Sequence, residues 1–306
     1  MSKITTFAQL TEHLAELRHC PAVAVVCPYD DGTVQAVSRA LSHGFIKAIL
    51  IGDREMIAGT GLPEQFHDRV TIVEASDQKD AAVQGVALTK TKKADILMKG
   101  LVSTDVLLHA VLNKENGILE RGKLLSHITI SEIPGMERLL FYSDVAVIPY
   151  PTLQQRIGMI HMDLDVLRRF GVSEPKVALI NFNEKINPKF PNSVDYQELV
   201  RLGSEGEFGD AILGGPMDVK TAVDLHSAEV KGIESPVCGN ADLLIFPNIE
   251  SGNTFYKTIS FFTPARMAGM LLGPEAPVVL PSRSDNADSK FNSLALASLA
   301  CHNSTC

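Results

Sequence analysis

The sequence predicts an α/β fold built on largely parallel sheets and divided into two domains. Short, uniformly apolar runs alternate with helically periodic segments along nearly all of the 306 residues. The runs lack the in-out alternation of a half-solvated strand, as in sheets covered by helices on both faces. With 45% hydrophobic and 21% charged residues, the chain can bury a sizeable core.

The elements follow in order. "FAQLTEHLAELR" spaces Phe7, Leu10, Leu14 and Leu17 as a helix, and "PAVAVVCP" is a buried strand. "DGTVQAVSRALSHGF" reads as a helix stopped at Gly44, and "IKAILIGD" as the next strand. This strand-helix-strand unit favours parallel pairing. "RVTIVEA", a helix through "DAAVQGVALTKTKK", the strand "ADILMKG", a helix from about Thr104 to Leu112, and "RLLFYSDVAVIPYP" extend the series. A second series opens with a long helix around "TLQQRIGMIHMDLDVLRRFG" and continues through "KVALINFN", "DAILGG", "ADLLIFPN" and "APVVLPS". Pro149-Tyr150-Pro151 reads as a crossing between domains.

A formal net charge of -8 argues against a general nucleic-acid binder, which needs a basic face. No apolar run reaches the roughly 18 to 20 residues that span a bilayer, and "MSKITTFAQL" lacks signal-peptide order, so a cytoplasmic protein is expected. The five cysteines show no CxxC spacing, so neither a disulfide framework nor a zinc site is indicated.

Ligands of open α/β sheets bind beyond the carboxyl ends of the strands. Three loops there collect anion-binding residue types. Lys99 and Gly100, then Ser103 and Thr104 at a helix start, offer a cation and free backbone N–H groups; a plain N-cap is the competing reading. Asn248, Gly252 and Asn253, with Lys257 about one turn on, form a second loop, in which Gly252 can equally serve a tight turn. In "PSRSDNADSK", Arg283 can fork onto phosphate oxygens beside the Ser282 hydroxyl. Asp285 and Asp288 have the spacing of an N-cap and a third-position acid. His109, His161, Asp163, Asp165 and Cys238 read as packing or surface residues.

Together, "ILMKGLVSTDVLLHAVLNKENGIL", "FYSDVAVIPYPTLQQR", "GGPMDVKTAVD", "GIESPVCGNADLLIFPNIESGNTFYKTISFF" and "PVVLPSRSDNADSK" resemble the phosphate acetyl/butyryltransferase family, most closely its phosphate butyryltransferase branch. The resemblance implies two α/β domains with a cleft between them, in the architecture of isocitrate and isopropylmalate dehydrogenases. The domains would be 1–143 with a returning 284–306, and 144–283. It implies exchange of a butanoyl group between CoA and phosphate through butanoyl phosphate, without a covalent acyl-enzyme, a covalently bound cofactor or a metal, and a homodimer or larger homo-oligomer. Phosphate acetyl transfer, or a non-catalytic sensing module, is the alternative. By the same likeness Ser282 bonds the thiol or the developing oxyanion, and Arg283 binds the phosphate. Lys99, Gly100, Ser103 and Thr104 contact phosphate or acyl phosphate, and Asn248, Gly252, Asn253 and Lys257 contact CoA. The acetyltransferase branch carries an aspartate seven residues after the serine. Here that position is Ser289, which leaves Asp288, then Asp285, as candidate bases, or catalysis by positioning with solvent taking the proton.

Overall fold

The computed structural model describes residues 3–17, 20–282 and 285–301. The chain divides into two compact units, Phe7–Leu125 with Met267–Cys306, and Met1–Thr6 with Ser126–Arg266.

In the first unit, α1 (Phe7–Glu16) buries Phe7, Leu10 and Leu14 at the expected spacing. It is followed by β1 (Ala22–Val26), α2 (Asp31–His43), β2 (Lys47–Gly52), α3 (Arg54–Gly59), α4 (Leu62–Gln65) and β3 (Val70–Glu74), and then by α5 (Gln78–Lys90), β4 (Ile96–Lys99) and α6 (Thr104–Val111). Asp30 caps α2 by accepting from Thr33 N, and Gly44 ends the helix at φ 78°, as the sequence predicts.

The second unit holds β5 (Ser126–Glu132), β6 (Leu140–Ser143), α7 (Leu153–Arg169), β7 (Lys176–Ile180), α8 (Pro191–Ser204), β8 (Ile212–Met217), α9 (Val219–Val223), α10 (Leu225–Lys231), β9 (Leu243–Ile245) and α11 (Ile249–Phe262). The chain then returns to the first unit as β10 (Arg266–Leu272), β11 (Val278–Val279) and α12 (Ala287–Cys301).

Within the first unit the strands run β3-β2-β1-β4-β11-β10, all parallel except the β10–β11 pair. Within the second they run β5-β6-β9-β7-β8, parallel except for the β5–β6 pair. β1, β4, β6 and β9 are buried almost throughout, which explains their unbroken apolar sequences.

The compact units change over at 6/7, 125/126 and 266/267, whereas the expected domains change over at 143/144 and 283/284. The pairing explains the difference. β6 is parallel to β9 and carries its antiparallel partner β5 with it, whereas β11 lies against β4. Pro149-Tyr150-Pro151 therefore sits inside the second unit.

Candidate active site

The first unit contains a topological switch. From β1 the chain steps outward through β2 to β3, then crosses back so that β4 lies on the other side of β1. The strand order thus reverses between β1 and β4, and the carboxyl ends at such a reversal are where open α/β sheets bind ligands. The two ends are tied closely: Gly100 N donates to Val26 O at 2.8 Å and Leu101 N to Cys27 O at 2.7 Å. Lys99, only 3% exposed, brings a cation to this edge and donates from Nζ to Gly100 O at 3.2 Å. Burial pushes the neighbouring Cys27 thiol up to about 11, so it is not a ready thiolate.

Ser103 is the N-cap of α6: its hydroxyl accepts from Val106 N at 3.2 Å. Capping does not exhaust the hydroxyl, which keeps a proton to donate. Thr104 follows exposed in the first turn, where backbone N–H groups lack helical partners.

β11 pairs parallel to β4, with Val279 opposite Met98, so the chain leaving it emerges at this same edge. Ser282 and Asp285 close on each other there. Ser282 N donates to Asp285 Oδ2 at 2.8 Å, and Asp285 N donates to Ser282 O at 3.1 Å. Ser282 is exposed. Arg283 lies outside the described residues.

The two aspartates do not share the capping expected from their spacing. Asn286 caps α12, its side chain accepting from Ser289 N at 2.8 Å, while Asp285 is turned back onto Ser282. Asp288 pairs with Arg39 of α2, whose guanidinium lies 4.2 Å from the Phe291 ring centroid.

In the second unit, three of the four residues expected at CoA brace the start of α11. Asn248 is its N-cap, accepting from Ser251 N at 2.9 Å. Gly252 packs so closely that a Cβ would lie 2.3 Å from Asp144 O, and Asn253 Nδ2 donates to Val145 O at 3.0 Å. Lys257 is exposed, its Nζ 4.7 Å from the Tyr256 ring centroid.

A family model described as phosphate acetyl/butaryl transferase matches residues 64–298. The chain belongs to that family. It is 39% identical over 282 residues to the phosphate butyryltransferase of Clostridium acetobutylicum, an alignment spanning 92% of this chain and 93% of that protein. It is 34% identical over 280 residues to the phosphate acetyltransferase of Thermotoga maritima, across 90% and 94% of the two. Among solved structures, a branched-chain phosphotransacylase from Enterococcus faecalis superposes with a TM-score of 0.80 at 29% identity, covering 92% of this chain and 99% of that one.

Several residues that shape this family member were not picked out by sequence. Lys290, 5% exposed on α12, bonds Asp30 and, at 3.1 Å, Thr33 Oγ1, tying α12 to the start of α2 just beyond β1. Burial alone would raise the Asp30 carboxyl, but hydrogen bonds from Lys290 and Thr33 outweigh it and hold it below its usual value. In the second unit the buried Asp144 accepts from Ser126 Oγ, His127 N, Ala146 N and Val147 N at 2.7 to 3.0 Å, fixing the loop on which α11 rests. Arg156 bonds Phe246 O and Pro247 O at 3.2 and 2.9 Å and so sets the approach to Asn248. Asp163, read as a surface residue, is fully buried. Burial, with the Asp144 charge adding, pushes its carboxyl well above the usual range; the Ser143 hydroxyl opposes this without meeting hydrogen-bond geometry. Apart from the local turn that Asp144 makes with Ala146 and Val147, no signal in the local spacing marks these residues, because their other partners come from distant segments.

Among the described residues, no group of three or more His, Cys, Asp or Glu is placed to hold a metal, and no helix is long and apolar enough to cross a membrane.

Proposed function

We propose that the chain moves a short-chain acyl group, butanoyl in the first instance, reversibly between CoA and inorganic phosphate, with butanoyl-CoA, phosphate and butanoyl phosphate as its ligands. Family membership, with 39% identity to a phosphate butyryltransferase along nearly the full length of both chains, carries this reading. The carboxyl edge of the first unit is consistent with it, since the Ser282 turn, Lys99 and the start of α6 offer hydroxyls, a cation and backbone N–H groups to an anion. We also assign the isocitrate/isopropylmalate dehydrogenase-like architecture and a homo-oligomeric state, both supported by the sequence resemblance, and a cytoplasmic location, which the reading of the sequence favours.

Toward acyl-CoA, the CoA sulfur attacks the acyl-phosphate carbonyl. A C–S bond forms, the C–O bond to phosphate breaks, and the phosphate leaves with the bonding pair. An ordinary thiol near pKa 8.5 is only a few per cent thiolate at neutral pH, so its proton must pass to a nearby base or to water. Ser282 donates to the sulfur or to the carbonyl oxygen as charge collects there, and Arg283 takes the leaving phosphate. Asp285, hydrogen-bonded to Ser282, is better placed than Asp288 to receive the proton, because Asp288 is engaged by Arg39. Of the residues expected at CoA, we assign the contact with CoA phosphates to the exposed Lys257; Asn248, Gly252 and Asn253 support α11.

Two measurements test this. Rates of CoA release with phosphate and acyl-CoAs of two to five carbons should peak at four. A peak at two would move the assignment to the acetyl reading, which the 34% identity to a phosphate acetyltransferase also supports. No turnover with any acyl-CoA would leave the sensing module. Asp285→Asn should lower kcat at least tenfold, whereas Asp288→Asn should cost at most about threefold, since it loses one exposed ion pair. The reverse order would return the base to Asp288.

A further inference from the structure

We propose that the groove between α5 and α6 is a second ligand site, for an aliphatic monocarboxylate of eight to ten carbons. The cavity encloses about 490 Å³, within the range that accommodates a small organic molecule and far more than a four-carbon acid fills. Its apolar lining is aliphatic, with no Phe, Tyr or Trp: Val83, Val86 and Ala87 come from α5, and Val106 and Ala110 from α6. A flexible hydrocarbon chain fits such a lining better than a flat ring.

The polar lining is one-sided. Lys79, Lys90 and His109 contribute to it and no carboxylate does, in a chain whose net charge is -8. α5 and α6 follow parallel strands and run in the same direction, so the groove has a start and an end. Lys79 and Lys90 stand near its two extremes, about 16 Å apart at helical rise. Donors gather at the Lys90 end. Lys90 Nζ bonds Glu115 O at 2.6 Å, which places the ammonium beside 113–116 with two further N–H groups to give. The Asn113 side-chain oxygen accepts from Glu115 N and Asn116 N, leaving its amide N–H groups as donors. The carboxylate head belongs at this end, with the tail lying over Ala87 and Val106 toward Lys79.

This reading does not depend on the reaction assigned above, because none of these residues takes part in it. The test is calorimetric titration of the full-length protein with sodium octanoate below its micellar range. Saturable binding at one site is expected, with butyrate at least tenfold weaker for want of four methylenes, and 1-octanol at least fivefold weaker for want of charge. Ala87 is exposed, so Ala87→Phe fills the groove without entering the core. That variant should weaken octanoate at least tenfold while keeping the wild-type acyl-transfer rate, and Lys90→Met should weaken it at least fivefold. Ser282→Ala should bind octanoate as the wild type does. Absence of saturable binding, wild-type affinity in a folded Ala87→Phe or Lys90→Met protein, or loss of binding in Ser282→Ala would each overturn the proposal.

Discussion

Replacing Arg283 with alanine should lower kcat by about 10² to 10³ while leaving the thermal midpoint within a degree or two of the parent protein. The magnitude follows from the role proposed for it: a fixed donor aimed at charge that develops only as phosphate departs typically contributes about 3 to 4 kcal/mol. An interaction made in the transition state and not the ground state lowers kcat and kcat/KM together, so KM for acyl phosphate should move by less than tenfold. Arg283→Lys should recover only part of the loss, because an ammonium keeps the charge but not the planar fork that fits two phosphate oxygens. Ser282→Ala, which removes a hydroxyl and keeps the backbone clamp to Asp285, should fall between the two. An Arg283→Ala enzyme with near-normal kcat would remove the guanidinium from the chemistry.

How far the sequence discloses this arrangement depends on the range of the interaction. β1, β2, β4 and α2 are legible because burial on both faces and a local cap leave their marks within a dozen residues. Ser282 is legible as a residue following an apolar strand. β5 is not: "SHITISE" carries a polar residue at every second position, although all but His127 and Glu132 are buried. Ser126 and Ser131 are tolerated there because each meets a partner, Asp144 and the Tyr142 hydroxyl respectively. Asp288 illustrates the limit most clearly. Its spacing from Asp285 suits a helix cap, but the capping role falls to Asn286 and the carboxylate goes to Arg39, 249 residues away in the chain. Packing of α12 on α2 decides that pairing, and no local pattern encodes it. The unit boundaries were hidden for the same reason, since strand pairing assigns β5, β6 and β11, while the proline pair at 149 and 151 looks the same inside a unit as between two.

Gly100→Ala should destabilise the protein by about 3 to 5 kcal/mol and abolish turnover with it. An alanine Cβ at this position would sit 2.4 Å from Cys27 O and 2.8 Å from Val26 O. Both obstacles are main chain, so no side-chain rotation can relieve them. Those carbonyls accept the hydrogen bonds from Leu101 N and Gly100 N that join the exits of β1 and β4. Retreat by either strand therefore breaks a buried backbone bond, adding a cost of about 1 to 3 kcal/mol for each group left unpaired to the strain of overpacking. In a chain of this size such a loss lowers the midpoint by roughly 10 °C. The displaced segment carries Lys99 and leads into Ser103, so residual folded protein should also bind phosphate weakly. Gly59→Ala supplies the control: nothing lies within 4 Å of its Cβ and its φ is not positive, so the substitution should be neutral or slightly stabilising. A Gly100→Ala protein within about 1 kcal/mol of the parent would show that the edge has room to give, and that the close approach of β4 to β1 does not hold the proposed anion-binding loop in place.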